Sequence, residues 1–128
     1  MSDKFTVEII TPNETILKTE TNEVNIPSFE GQMGILKDHI PLITFLRPGI
    51  ISLQDREKKY YVEEGTVEFS NNNLLILTST AISLTKLNQD SIEELLKSAE
   101  NKFSDNHSSD KEKYISSYKI STLKEINQ

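Results

Sequence analysis

The chain has 128 residues, of which 35% are hydrophobic and 27% charged, and it carries a formal net charge of −6 and no Cys. This length suits one domain with a small appendage, and the lack of thiols excludes disulfides and Cys-ligated metal centres. The excess of acidic residues argues against a nucleic-acid-binding protein, because such a protein needs a broad basic face.

The apolar runs in the sequence are short. One of the longest covers only residues 74–77, whereas a membrane-spanning helix needs roughly 18–20 apolar residues. Residues 1–4 also lack the basic and apolar pattern of a secretory or organelle-targeting peptide. We therefore expect a soluble protein that stays in the cytoplasm and does not insert into a membrane.

Residues 5–85 predict a series of short β-strands, because apolar and polar residues alternate and turn-forming residues interrupt the pattern. In the first run, Phe5, Val7 and Ile9 alternate with polar residues. Charged residues at 55–58 predict the turn of a β-hairpin. The whole pattern predicts eight to ten antiparallel strands without an intervening helix, and this favours a β-sandwich or flattened barrel.

The periodicity then changes to that of helices. One amphipathic helix is predicted by the apolar positions Ile92, Leu95, Leu96, Ala99 and Phe103. Ser91 and Glu94 have the spacing of a capping box at its start. A second helix is predicted over residues 111–126, with Ser109 or Asp110 as its cap. Its several Ser and Thr residues are mediocre helix formers, so we expect this helix to be marginally stable alone.

The change of period divides the chain into two predicted parts. Residues 1–87 form the N-terminal β-sandwich domain, and residues 88–128 form a C-terminal two-helix hairpin. Two helices joined by a short polar loop make an antiparallel pair. Their apolar stripes can be buried against each other, against the sandwich or against a partner, and the sequence leaves these alternatives open.

Between residues 26 and 50, residues of differing chemistry occur at a characteristic spacing. They are Gly31, Gly34, His39, Pro41, Leu42, Thr44, Leu46, Pro48 and Gly49. This segment resembles the epsilon subunit of F-type ATP synthases. The match is specific because nine spaced positions coincide, and in that family a helical hairpin of this size also follows a β-sandwich.

The resemblance implies a non-catalytic subunit of the central rotor stalk, peripheral on the cytoplasmic face of the bacterial inner membrane and without a cofactor or metal. Its implied partners are the gamma subunit, the c-ring and, through the hairpin, the alpha and beta subunits of the catalytic head. The residues implied to face gamma or the c-ring are Glu30, Gln32, His39, Pro41 and Thr44. The regulatory residues implied in the hairpin, which can inhibit ATP hydrolysis, are Lys111, Lys113, Lys119 and Lys124.

The chain departs from the family pattern at four places, the first of which is Ser28, where the family often has Gly. Residues 37–38 are Lys-Asp where Pro-Gly commonly precedes the histidine, so we expect a differently shaped loop. Gln32 replaces a frequent Glu and removes one carboxylate from the surface implied to face the c-ring. Residues 87–92 match a stretch that binds ATP in some bacterial members, but this stretch, which includes Asn88 and Ser91, lacks the family's Arg.

Catalysis by this chain alone finds little support in the sequence. It contains no phosphate-binding Gly-rich loop, no Gly-x-Ser-x-Gly elbow and no His-Glu-x-x-His pair. His107 lies in a polar loop, where we expect a solvated side chain. His39 lies in a predicted exposed loop, where it either organises that loop by hydrogen bonding or contacts a partner. Tyr60 and Tyr61 fall on opposite faces of a strand, which predicts one core residue and one interface anchor.

Two other functions remain open on the residues alone. A stand-alone β-sandwich could bind a small ligand such as a sugar or nucleotide, and this hypothesis predicts a concave apolar pocket. A small hydrolase could use His39 with a nearby carboxylate, and this hypothesis predicts an activity that is lost in His39→Ala.

Overall fold

The computed structural model describes residues 3–53 and 58–127. Ten β-strands come first: β1 Phe5–Ile10, β2 Thr15–Thr21, β3 Glu23–Ser28, β4 Gly31–Leu36, β5 Leu42–Leu46, β6 Gly49–Leu53, β7 Lys58–Val62, β8 Gly65–Ser70, β9 Asn73–Thr78 and β10 Ala81–Ser83. A 3₁₀ turn at Leu84–Lys86 leads to two helices, α1 Gln89–Ser104 and α2 Asp110–Ile126. The predicted fold class, a β-sandwich or flattened barrel followed by a helical hairpin, is therefore confirmed. Residues 55–57 of the predicted charged turn lie outside the described residues.

All ten strands belong to one sheet, in the order β10-β7-β6-β3-β5-β8-β9-β1-β2, with β4 paired to β3 beside this path. Neighbouring strands are antiparallel, with one exception among the described pairs. β1 and β9 run parallel, with Thr6 opposite Asn73 and Ile10 opposite Leu77. The parallel pair joins strands that lie far apart in the sequence, so the sheet is completed only when its first and ninth strands meet.

The core lies inside the curved sheet. Along β1, Phe5, Val7 and Ile9 are buried, as the alternation predicts. Inward-facing residues of β1 to β9 form one hydrophobic cluster, which requires the sheet to curve around a single interior. Within this cluster the rings of Phe5 and Phe69 pack edge to face, with their centroids 5.6 Å apart.

The chain divides into two compact units, Met1–Ser83 and Leu84–Gln128. In the second unit α1 and α2 pack against each other. α1 begins after Asn88, whose Oδ1 accepts a hydrogen bond from the backbone N–H of Ser91 at 2.8 Å. The prediction that Ser91 caps this helix with Glu94 is wrong, because Asn88 is an equally good cap and the helix begins before Ser91.

The start of α2 is fixed by a capping box. The Ser109 Oγ accepts from the backbone N–H of Glu112 at 3.1 Å, and the Glu112 Oε1 accepts from the backbone N–H of Ser109 at 3.0 Å. Ser109, one of the two predicted caps, is therefore confirmed. The other carboxylate oxygen of Glu112 lies 2.7 Å from the Lys102 Nζ near the end of α1. One side chain thus caps α2 and ties it to α1.

Candidate functional site

Two rows of residues cross the outer side of the sheet from β5 to β1. One row is Phe45, Thr66, Leu77 and Ile10, and the next is Ile43, Glu68, Leu75 and Glu8. Directly paired residues in a sheet have neighbouring side chains on the same face. We call these eight residues the outer face.

The outer face exposes large apolar side chains. Ile43 is 74% exposed, Phe45 58% and Leu77 45%. An antiparallel sheet with one solvated side normally carries polar residues on that side. Isolated exposed apolar residues are common, but neighbouring ones indicate an interaction surface. The outer face therefore has the character of a docking surface rather than of a solvated sheet.

Carboxylates lie among these apolar residues. Glu68 and Glu8 are the two direct neighbours of Leu75 in the second row. Lys18 on β2 is opposite Glu8 and continues that row. A partner that covers the outer face would therefore need apolar side chains flanked by basic or hydrogen-bond-donating groups.

The turn between β3 and β4 brings two predicted site residues together. The Thr44 Oγ1 donates a hydrogen bond to the Glu30 Oε1 at 3.1 Å. Thr44 is only 5% exposed, so its contribution to an interface would act through Glu30. The Ser28 hydroxyl shapes this turn by donating to the carbonyl of Gly31 at 2.8 Å and accepting from the Glu30 N–H at 3.1 Å. Gln32 is exposed on β4.

His39 and Pro41 lie in the loop between β4 and β5, residues 37–41, which we call the His39 loop. The His39 Nδ1 is 2.7 Å from the carbonyl oxygen of Ile40, so Nδ1 donates the proton of this hydrogen bond. The imidazole also packs edge to face on Phe69, with the centroids 5.9 Å apart. His39 thus has the loop-organising role that was one of its two predicted roles. β4 separates this loop from the β3–β4 turn, so the five predicted residues form two groups.

The four predicted regulatory lysines lie on α2. Lys111 and Lys124 are exposed, and Lys113 and Lys119 are partly exposed. The buried residues of this helix are Ile115, Ser116, Thr122 and Leu123. Two of the hydroxyl residues that weaken the helix propensity are therefore buried. Small side chains at such positions permit close packing, which favours the helix through tertiary contacts rather than through propensity.

The degenerate ATP motif at Asn88 and Ser91 is part of the start of α1. The Asn88 side chain caps the helix through the backbone of Ser91. In the part of the chain that the structure describes, no group of three or more His, Asp or Glu residues could hold a metal ion. The same residues include no helix long and apolar enough to cross a membrane.

Both neighbouring tyrosines of β7 are buried. Tyr60 belongs to the core cluster, and Tyr61 is fully buried with its O–H donating to the Glu63 Oε2 at 2.9 Å. The prediction that one tyrosine is an interface anchor is wrong, because neither ring is accessible. Burial raises the pKa of Tyr61 well above its ordinary value, and the charge of Glu63 and its hydrogen bond act in the same direction.

A groove of about 480 Å³ borders the outer face. It is lined by Ile10, Thr11, Pro12, Glu64, Gly65, Thr66, Leu77, Thr78 and Ser79. Ile10, Thr66 and Leu77 belong to both features, so the groove is an extension of the outer face.

The exposed residues Ile43, Phe45 and Leu77 were not identified from the sequence. β5 reads Leu-Ile-Thr-Phe-Leu, an almost continuous apolar run. Such a run is typical of a strand buried on both sides. The available signal is Thr44: if the one polar residue faces inward, its two apolar neighbours must face outward.

Comparisons with known proteins agree with this architecture. The family model for the beta-sandwich domain of the ATP synthase delta/epsilon chain matches residues 4–84. The ATP synthase epsilon chain of Pelagibacter ubique (strain HTCC1062) is 46% identical over 130 residues, which cover 99% of this chain and 100% of the relative. The epsilon chain of Lawsonia intracellularis (strain PHE/MN1-00) is 40% identical over 83 residues, which cover 63% of this chain and 62% of the relative.

A solved structure shares the fold. A chain in the cryo-EM structure of the Euglena gracilis mitochondrial ATP synthase, comprising OSCP, F1 and the c-ring, matches with a TM-score of 0.75 and 17% identity. The match covers 99% of this chain and 81% of the Euglena chain. The motif at residues 26–50, the ten-stranded sandwich and the relative that aligns from end to end lead to one conclusion: the chain belongs to the ATP synthase delta/epsilon family.

Proposed function

We propose that this chain is a non-catalytic subunit of the central rotor stalk of a proton-translocating ATP synthase, peripheral on the cytoplasmic face of the bacterial inner membrane. It binds the gamma subunit and the c-ring and transmits the rotation that couples proton flow to ATP synthesis. The observation that carries this proposal is the outer face, an exposed apolar surface on a chain of this family.

The outer face is the proposed gamma-binding surface. Ile43, Phe45 and Leu77 supply apolar contacts, and Glu68 supplies a charge beside them. A rotor subunit needs a contact that resists torque. Apolar side chains on a rigid antiparallel sheet meet this need because the sheet fixes their relative positions.

The remaining predicted residues divide between two contacts. The β3–β4 turn presents Glu30 to the c-ring, the start of β4 presents Gln32, and the buried Thr44 holds the Glu30 carboxylate. The His39 loop leads directly into β5, which carries Ile43 and Phe45 of the outer face. We therefore assign this loop to gamma.

The hairpin is the proposed regulatory element. Its lysines on α2 would meet acidic segments of the catalytic head and oppose rotation in the direction of ATP hydrolysis. A two-state element needs a small free-energy difference between its states. The Ser- and Thr-containing α2, which begins with a local capping box, is suited to such a difference.

The decisive test is binding to the gamma subunit of the same organism. We expect the full chain and a chain lacking residues 88–128 to form the same one-to-one complex in sedimentation, because the outer face lies within the first compact unit. Ile43→Asp should weaken this complex by about tenfold or more, since it places a charge in a desolvated apolar contact. Leu36→Asp is the matched control, because Leu36 is 56% exposed on β4 outside the outer face.

Independent sedimentation of the full chain and gamma would contradict the proposal. Equal loss of binding in the Ile43 and Leu36 variants would instead contradict the assignment of the outer face. Circular dichroism of each variant verifies that the fold is retained.

Inhibition is tested separately in the assembled enzyme. Removal of residues 88–128 should raise the rate of ATP hydrolysis, and Lys113→Glu should raise it in part because one attractive charge becomes repulsive. Lys97→Glu makes the same charge change at an exposed position of α1 and serves as the control. Hydrolysis rates unaffected by Lys113→Glu would reject the electrostatic contribution of this lysine.

The groove beside the outer face favours one alternative, a ligand-binding module. This alternative predicts saturable binding of a small apolar or nucleotide-like molecule that does not depend on gamma. Thr66→Trp would fill part of the groove and abolish such binding. Within the proposed function, the same substitution impairs gamma binding.

A further inference from the structure

Asp38 and Asn72, which are 34 residues apart in sequence, are joined by two hydrogen bonds. The backbone N–H of Asp38 donates to the Asn72 Oδ1 at 2.7 Å, and the Asn72 Nδ2 donates to the Asp38 Oδ1 at 3.0 Å. The side-chain amide of Asn72 thus accepts one hydrogen bond through its oxygen and donates the other through its nitrogen. This pair, which we call the clamp, connects the His39 loop to the turn between β8 and β9.

Each residue of the clamp has a backbone conformation that is uncommon for residues with a Cβ. Asp38 has φ +65° and Asn72 has φ +59°. Asp and Asn tolerate this left-handed region better than other residues with a Cβ, but glycine occupies it without strain. A glycine at either position would therefore keep the backbone shape and lose the side-chain bonds. Asp38 and Asn72 therefore add a side-chain connection between the two segments that glycine could not provide.

The clamp holds a loop that carries an exposed apolar side chain. Next to Asp38, the backbone N–H of His39 donates to the carbonyl of Leu36 at 3.1 Å, and the imidazole rests on Phe69. The following residue, Ile40, is 73% exposed. Three residues later the chain reaches Ile43 of the outer face. The backbone of a free loop would lose conformational entropy on binding, whereas the backbone of a clamped loop has already lost part of it.

We propose that Asp38 and Asn72 are positioning residues that hold the His39 loop, which carries the exposed Ile40, in the conformation that contacts gamma. This inference rests on the proposed function, because gamma is the partner. The clamp residues themselves need not touch gamma. They act through Ile40 by fixing the loop before the complex forms.

The test is a set of glycine substitutions in the full chain, with affinity for immobilised gamma as the readout. Asp38→Gly removes the 3.0 Å bond, and Asn72→Gly removes both bonds. We expect each to weaken binding by about three- to tenfold through the loss of preorganisation. In the Asn72→Gly background, Asp38→Gly should cause no further loss, because its side-chain partner is already absent.

The matched controls lie in the same segments. Asn71 has φ +50° in the same turn, and Asn71→Gly should leave the affinity unchanged because it retains the clamp. Asp38→Asn keeps an acceptor for the Asn72 amide and should retain most of the affinity. Ile40→Ser should weaken binding in the wild-type background more than in the Asn72→Gly background, because an isoleucine in a mobile loop contributes less.

Amide hydrogen exchange separates loop order from binding. We expect faster exchange at His39 in the free Asp38→Gly and Asn72→Gly variants, with exchange in β1, β8 and β9 unchanged. Faster exchange with wild-type affinity would overturn the inference and leave the proposed function intact. Equal weakening by Asn71→Gly, or additive losses in the double variant, would also overturn it. Failure of the wild-type chain to bind gamma would overturn the proposed function itself.

Discussion

In the β-sandwich, side chains from nine strands bury one another in a single core, and most partners are distant in sequence. In the helical hairpin, several stabilising interactions join residues that are close in sequence. They are the Asn88 cap, the Ser109 capping box and the ion pair of Lys102 with Glu112. Buried apolar contacts each contribute several times more stability than caps or exposed ion pairs. The difference between the two units is compatible with the proposal that the sandwich transmits rotation and the hairpin regulates.

The largest effect is expected in the sandwich core. Phe69→Ala should lower the free energy of unfolding by about 3–5 kcal/mol, because it leaves a cavity beside Phe5 and removes the ring under His39. Urea unfolding followed by circular dichroism measures this loss. Ile43→Ala, at an exposed position of the same domain, should change the value by no more than about 0.5 kcal/mol. Similar losses in both variants would contradict the assignment of inner and outer sides.

A smaller effect is expected at the capping box of α2. Ser109→Ala should destabilise the folded hairpin by about 1 kcal/mol, because the N–H of Glu112 loses its acceptor. Ser98 is exposed in the middle of α1. Ser98→Ala should leave the hairpin as stable as the wild type or slightly more stable, since alanine is the better helix former. Faster amide exchange in α2 of the Ser109 variant, without a change in the sandwich, would show that the two units respond separately.

The smallest effect concerns the ion pair. The hydrogen bond from Lys102, and then that from the Ser109 N–H, lower the pKa of Glu112 to about 2 from its ordinary 4.5. The pair therefore stabilises the folded hairpin fully above pH 4.5, and this contribution is lost as the pH falls toward 2. Both side chains are exposed, so added salt should diminish the effect.

Glu112→Gln isolates that contribution. Glutamine can still accept from the Ser109 N–H, so the capping box is kept and only the charge is removed. After correction for the intrinsic pH dependence of exchange, the variant should lose the part of the fall in hairpin amide protection between pH 4.5 and 2 that Glu112 contributes. A wild-type Glu112 carboxyl that titrates near 4.5 in an NMR experiment would contradict the ion pair.

The strands and helices could be predicted because their periods differ and because turn residues interrupt them. Local rules were less reliable where two solutions compete. Ser91 and Asn88 are both good caps, and only the packed helix shows which is used. Alternation predicted that Tyr60 and Tyr61 lie on opposite faces of β7 but could not show that both faces are buried.

The candidate site was predictable only in part. The spaced motif identified the segment of residues 26–50, but not the contacts that organise it. The substitution of Asp38 for the family's glycine was visible in the sequence. Its partner Asn72 was not, because a contact across 34 residues leaves no periodic signal. The row that joins Phe45 to Leu77 likewise depends on strand order, which pairs β5 with β8 and β8 with β9.

The parallel pairing of β1 with β9 has a consequence for biosynthesis. β1 is made early, but its neighbour on one side consists of Asn73–Thr78. At about 5–20 residues per second, several seconds pass between their appearance on the ribosome. During this interval β1 and β2 can exist only as an isolated hairpin, which is marginally stable in water. The hairpin of β1 and β2 can therefore join the sheet only after β9 has been synthesised, late in the translation of the sandwich.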